Sequence, residues 1–207
     1  MNRSPKIDLI PRPRPLNGVV ALAVLALAGC APTLPPAYPD LTKHASPERR
    51  SGLPEWDRTS YWDGGGATGE PRIEISLGQQ RAEFYRGDQI VGVSVASTGR
   101  EGFNTPPGKF RITEKSPDHR SNLYGSYVDD QGNVVAADVD VRKDKKPSGT
   151  SFLGAPMPNF LRFNRGIGMH AGFLPGYAAS HGCVRLPPKM AQHFYDNVGV
   201  GTTVVVK

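Results

Sequence analysis

Two residue types able to do covalent chemistry stand close together in the last third of the chain. Cys183 lies in the run Ser180-His181-Gly182-Cys183-Val184-Arg185, and His170 lies thirteen positions upstream in Gly168-Met169-His170-Ala171-Gly172. A thiol and an imidazole brought together in space can carry out nucleophilic acyl transfer: the imidazole takes the thiol proton and the thiolate attacks a carbonyl. A lone cysteine is more often a small buried hydrophobe. Against that stand the polar, cationic neighbours of Cys183, a setting that lowers a thiol's pKa. The chain also begins like an exported protein, and export puts a bare thiol at risk of oxidation. Cys183, His170 and His181 have no fourth ligand spaced to complete a zinc site, so neither metal nor cofactor is implied. Of the other histidines, His193 beside Phe194 reads as packing or surface, and His119, between Asp118 and Arg120, reads as solvent-exposed.

The elements that must position these residues are mostly strands. Ile73, Ile75 and Leu77 alternate with polar residues, the period of a half-buried strand. After a turn at Gly78-Gln79 a second strand runs from about 81 to 85, and after Gly87-Asp88 the residues Val91, Val93 and Val95 alternate in a third. Thr105-Pro106-Pro107-Gly108-Lys109-Phe110 reads as a stiffened turn leading into a fourth. Residues 115–150 are polar and read as a solvated loop, part of it folding as a cap over the site. Pro187-Pro188 opens a helix with Met190, Phe194 and Val198 on one face and Gly199 as its stop, and residues 202–206 form a closing strand. The expected fold class is β-dominated mixed α+β, over residues 69–207.

The 207 residues leave room for one domain plus appendages, and 24 Gly with 20 Pro points to a loop-rich chain. The net charge of +6 does not argue for a nucleic-acid partner, because Arg3, Lys6, Arg12 and Arg14 precede Cys30 against only Asp8. That basic start leads into an apolar run, Val19 to Ala28, too short to span a bilayer. The run ends Leu27-Ala28-Gly29-Cys30, which resembles the bacterial lipobox. The resemblance implies a lipoprotein signal peptide over residues 1–29 and acylation of Cys30, anchoring the chain to a membrane. The alternative is ordinary cleavage after Ala26-Leu27-Ala28, releasing a soluble periplasmic protein. Alanine at position 31 resembles the pattern passed to the outer membrane. Residues 30–68, rich in Pro and Gly, read as a tether, with Trp56, Tyr61 and Trp62 expected to pack on the domain.

Residues 168–186 resemble the signature of the L,D-transpeptidase catalytic domain, the YkuD family of bacterial envelope enzymes. That signature is a histidine, a spacer, then Ser or Thr before His-Gly-Cys, an aliphatic residue and Arg or Asn. His170, Ser180, His181, Gly182, Cys183, Val184 and Arg185 fill its positions. Thr105 to Phe110 resembles the family's strand opening, and Met157-Pro158 before Phe160 its approach to the first histidine. The resemblance spans most of residues 72–206. It implies a β-sandwich or barrel with one main helix and a loop-rich cap insertion.

It also implies roles. Cys183 would be the nucleophile and His170 the proton acceptor and donor, oriented by the Ala171 carbonyl. The N–H groups of Gly182 and Cys183 would hold the oxyanion. His181 would line the pocket, Ser180 would hold the loop, and Arg185 would pair with a substrate carboxylate or sit in an ion pair behind the loop. The implied substrate is the peptidoglycan stem peptide, attacked at the L-centre of its third residue with loss of the terminal D-alanine. The acceptor decides the outcome: a second stem gives a 3→3 cross-link, an envelope-protein amine gives wall attachment, and water gives an L,D-carboxypeptidase. A non-catalytic peptidoglycan-binding lipoprotein is a further alternative. A papain-like protease fits less well, since its cysteine precedes its histidine. The spacer is shorter than is usual in the family, which bears on the acceptor side. The expected location is the cell envelope, on the periplasmic face of the outer membrane.

Overall fold

The computed structural model describes residues 57–207. The signal segment, Cys30 and most of the proposed tether therefore lie outside the described residues. In chain order the strands are β1 (Tyr61–Trp62), β2 (Pro71–Ser76), β3 (Arg81–Arg86), β4 (Gln89–Val95) and β5 (Gly108–Arg111). There follow β6 (Glu114–Val128), β7 (Val134–Asp140), β8 (Ser151–Asn164), β9 (Ile167–Ala171) and β10 (Val184–Leu186), then helix α1 (Pro188–Asp196) and β11 (Thr203–Val206). One sheet has six strands in the order β1-β4-β3-β2-β11-β5, the other five in the order β10-β9-β8-β6-β7. The fold is β-dominated with two sheets and one helix, as the residue pattern implies.

The core is the apolar face that alternation sends inward from both sheets. Ile73, Ile75, Phe84 and Val204 from the first meet Leu161, Phe163, Met169, Val184 and Leu186 from the second, with Met190 and Phe194 of α1 among them. Each such side chain contributes roughly 1.5–3 kcal/mol by leaving water. β11 closes the first sheet by pairing parallel to β2 and antiparallel to β5. Tyr61 and Trp62 join the same body, while Trp56 lies outside the described residues. β1 pairs with β4, and the Trp62 ring stands edge-on to Phe84 and stacks on His193, both at 5.0 Å.

Helix α1 has no side-chain N-cap but carries Pro188 in its first turn, where a missing N–H costs nothing. It ends at Asp196, before the stop expected at Gly199. The Asn197 N–H turns back to the Phe194 carbonyl, and Lys115 Nζ donates to the carbonyls of Tyr195 (2.6 Å) and Val198 (2.7 Å). A cation on the last carbonyls both satisfies them and complements the helix dipole.

Residues 115–150 correct the expected solvated loop. They form most of β6 and β7, an antiparallel arm completed by β8. Much of this arm is exposed, so its sequence shows little of the apolar alternation that marks a half-buried strand. Its backbone polar groups are satisfied across the ladder rather than by water. The arm is interrupted once. Arg120 pairs with Pro156 and Gly125 with Gly154, so Ser121 to Tyr124 loop out of register. Ser121 Oγ holds this bulge by accepting the N–H groups of Leu123 (3.2 Å) and Tyr124 (2.9 Å). Gly154 makes room for it, since a Cβ there would lie 1.9 Å from the Ser121 carbonyl oxygen.

Candidate active site

A parallel strand pair sets the site. β9 and β10 run side by side with Val184 opposite Met169 and Arg185 opposite His170. Met169 and Val184 are buried on the core side. Alternation then turns His170 and Arg185 to the other face, and Cys183 immediately precedes β10. Hydrogen-bond register, rather than the spacer, therefore fixes where the Cys183 loop stands relative to the strand that carries His170.

His170 is 6 % exposed, and its Nδ1 lies 2.8 Å from the Ala171 carbonyl oxygen. A carbonyl only accepts, so Nδ1 carries the proton and Nε2 is left as the basic nitrogen. Burial is the main cause that pushes His170 down to about 4, with Arg185 and His119 adding to it and the Ala171 bond opposing it. The resting imidazole is therefore neutral at pH 7.

Cys183 is half-buried, and its thiol donates to the Gly166 carbonyl at 3.9 Å. Here the expectation of a lowered thiol pKa is overturned. Burial raises it and outweighs the opposing Gly168 N–H, Arg162 and Arg185. Cationic neighbours lower a thiol's pKa only when their field exceeds the desolvation cost of the thiolate. The resting pair is thiol and neutral imidazole, not thiolate and imidazolium. In that state the imidazole can act as a general base.

Ser180 holds the loop, as expected. It is buried, its Oγ donates to the Cys183 carbonyl, and it accepts the Gly182 N–H at 3.0 Å. That last bond corrects the oxyanion assignment. The Gly182 N–H is already committed, and of the two expected donors the Cys183 N–H remains. Gly182 is required for a different reason, its φ of +113°, a conformation costly to residues with a Cβ.

The β4–β5 loop underlies the motif. Ser97 and Arg185 exchange backbone bonds of 3.0 and 2.9 Å, and the Ala179 and Ser180 N–H groups donate to the Thr98 carbonyl. Thr105 Oγ1 accepts the Gly99 N–H and donates to the Gly182 carbonyl at 2.7 Å. The sequence reading assigned this loop no role in the site. Only Thr105, within the proline-glycine turn, carried a signal.

His181 is exposed and caged. Arg100 Nη2 donates to its Nε2 at 2.8 Å, so Nδ1 is the protonated nitrogen of the neutral ring. Tyr124 from the arm's bulge stacks on it at 4.1 Å, and Phe103 meets it edge-on at 4.7 Å. Burial, then Arg100 and Arg185, hold its pKa below the ordinary value. Among the described residues no carboxylate pairs with Arg185, so the ion pair behind the loop is not found. His119 is not solvent-exposed as expected. It is half-buried, stacked on Phe160 at 4.2 Å, with Glu114 3.8 Å away. Among the described residues no cluster of His, Cys, Asp or Glu could hold a metal ion.

Known proteins were compared with the chain. The family described as the L,D-transpeptidase catalytic domain (YkuD) matches residues 70–206. An L,D-transpeptidase from Mycobacterium smegmatis shares the fold at a TM-score of 0.50 and 20 % identity, over 67 % of this chain and 58 % of its own. One from Xylanimonas cellulosilytica gives a TM-score of 0.50 at 22 % identity, over 69 % and 62 %. An L,D-transpeptidase in complex with imipenem gives 0.50 at 20 %, over 66 % and 58 %. The chain thus spans about 60 % of the length of these structures. No curated protein sequence matches it.

Proposed function

The chain belongs to the L,D-transpeptidase catalytic domain (YkuD) family, and from that premise we propose that it is a cysteine acyltransferase acting on peptidoglycan stem peptides, with Cys183 as nucleophile and His170 as base. The observation that supports this most strongly is the β9–β10 register, which sets a neutral His170, its Nδ1 tied to Ala171, beside the Cys183 loop.

The chemistry follows from the atoms present. His170 Nε2 takes the thiol proton as Sγ attacks the carbonyl of the stem's third residue. The oxyanion forms against the Cys183 N–H. The carbon–nitrogen bond to the terminal residue breaks, and His170 returns its proton to the departing amine, leaving a thioester. An amine then attacks the thioester, gives its proton to His170, and the thiol is regenerated as that proton reaches the departing sulfur. With a stem amine the product is a 3→3 cross-link, with an envelope protein an attached protein, and with water a trimmed stem.

In this reading residues 1–29 are a lipoprotein signal and 30–68 a tether. Cys30 is acylated, which holds the domain 69–207 at the periplasmic face of the outer membrane. Incubation of the full chain with purified sacculi, followed by mass spectrometry of muropeptides, tests the activity. Cross-linked or trimmed stems are expected, and unchanged muropeptides would remove the proposal. Cys30→Ser is expected to move the protein from the detergent-extracted to the soluble fraction.

A further inference from the structure

Arg100 and Arg185 approach the exposed edge of the site from two different segments. Arg100 comes from the β4–β5 loop, whose backbone bonds to Ser180 (Arg100 N–H to Ser180 O, 3.1 Å). Arg185 lies on β10 with its stem over Gly172. Arg100 Nη2 donates to His181 Nε2 at 2.8 Å, and the charges of both arginines help hold His181 below its ordinary value. Their mutual effect is direct as well. After burial, and against the favourable pull of Cys183, the charge of Arg100 helps hold Arg185 below its ordinary value.

Two guanidinium groups near each other and near a neutral imidazole repel, and burial raises the cost. Among the described residues neither has a carboxylate partner within ion-pair distance. The one acid that faces His181, Asp140, is spent on the arm, where it takes a two-atom grip from Arg142 (2.8 and 2.7 Å). The aromatic faces of Phe103 and Tyr124 complete the surroundings, with Arg100 lying over Phe103 at 4.5 Å. Such a setting offers fork-shaped donors and an imidazole N–H, and among the described residues it lacks the anion that would balance it.

We propose that Arg100 and Arg185, with His181 held by Arg100, form a carboxylate subsite for the donor stem peptide. This rests on the functional reading above and deepens it. Arg100 is then a specificity-determining residue outside the His-Gly-Cys motif. Two carboxylates of a stem could fill the subsite: that of the terminal residue to be expelled, or the second carboxylate of the diamino residue under attack. Both present the same chemistry to the guanidinium pair.

The test uses the full chain and three synthetic stem tetrapeptides: the parent acid, its C-terminal amide, and the amide of the diamino residue's free carboxylate. Release of the terminal residue is followed for kcat and KM separately. For wild type, one of the two amides is expected to react with kcat/KM about ten- to a hundredfold below the acid, the loss of a charge-assisted pair, and which amide it is names the carboxylate. Arg100→Ala should bring the acid down toward that amide's level, chiefly through KM, and should slow the amide by a much smaller factor. Arg100→Gln keeps an N–H for His181 without the charge and should behave alike, with an unchanged melting temperature showing that it is folded. If wild type treats all three donors equally, or if both variants slow all three by one factor, the subsite is overturned and the function stands. If wild type releases nothing from any donor, the functional reading falls and the subsite with it.

Discussion

The strand pair that carries His170 and Arg185 is short, largely buried and closed by backbone hydrogen bonds on both sides. The arm that brings Tyr124 to the same place is long, exposed and bulged. In the first region position is imposed by the main chain: β9 and β10 fix the register, Thr98, Thr105 and Ser180 tie the loop, and Gly182 supplies a φ of +113°. In the second, position rests on a ring stacked at 4.1 Å and on the Arg142 contact to the Tyr124 hydroxyl at 2.7 Å. An aromatic contact contributes about 0.5–1.5 kcal/mol beyond the area it buries. The strand pair to which the proposed function assigns bond-making is thus insulated from changes in the arm. The surface that would meet the rest of the substrate is adjustable at small cost.

The sharpest test of this division is Cys183→Ala. If the proposed function holds, wild type is expected to form a covalent adduct with a carbapenem such as imipenem, visible in intact-mass spectra. The variant should form none. An adduct persisting in the variant would place the nucleophile elsewhere and end the comparison.

Next in size is His170→Ala, expected to slow acylation by roughly 10²–10⁴-fold, with partial recovery at alkaline pH as the thiol ionises unaided. In wild type the acid limb should fall near pH 4, where His170 takes its proton, rather than near 6.5. Stability moves with the same titration. Between pH 6.5 and about 4 the unfolded chain binds a proton that native His170 refuses, so the native state should lose about 3 kcal/mol across that window. Thermal melts of His170→Ala should lack this share of the loss. Equal acid sensitivity in both proteins would contradict the buried neutral imidazole.

Gly182→Ala probes the rigid region without touching a reacting atom. Forcing a Cβ into that backbone should cost about 1–3 kcal/mol, read as a lower melting temperature together with slower imipenem acylation. Slower acylation at full stability would show that the loop had shifted without strain.

The smallest effect belongs to the arm. Tyr124→Ala should raise KM for a stem peptide by up to about tenfold and leave the melting temperature within a degree or two of wild type. A loss in kcat as large as that of His170→Ala would mean that the two regions are not separable.

These two regions also differ in how far they could be read from the chain. Strands β2, β4 and β11 announce themselves by alternation at Ile73, Ile75, Val91, Val93, Val204 and Val206, whose side chains are all buried. The His-Gly-Cys run and His170 stand out because their types are rare and their chemistry is specific. β6 and β7 do not stand out, since strands without one consistently buried face carry no period. Arg100, Phe103 and Tyr124 were missed because nothing local distinguishes a loop arginine or a bulged tyrosine until tertiary structure brings it against His181. The thiol's raised pKa was missed for a related reason: neighbours in sequence report charge, and only the fold reports burial.

The parallel pairing of β9 with β10 has one more consequence. Because Arg185 faces His170 across a ladder, the stretch between them is anchored at Gly172, whose N–H meets the Leu186 carbonyl, and again at Ala179 and Ser180 on Thr98. Between those anchors the Tyr177 carbonyl also takes the Ser97 hydroxyl at 2.7 Å, while the side chains of Phe173 and Tyr177 stand exposed. The exposed part of this stretch can lengthen, shorten or change composition without shifting the register of Arg185 on His170. A spacer of thirteen positions then leaves that register intact. It is one setting of a dial that evolution, or an engineer, can turn independently.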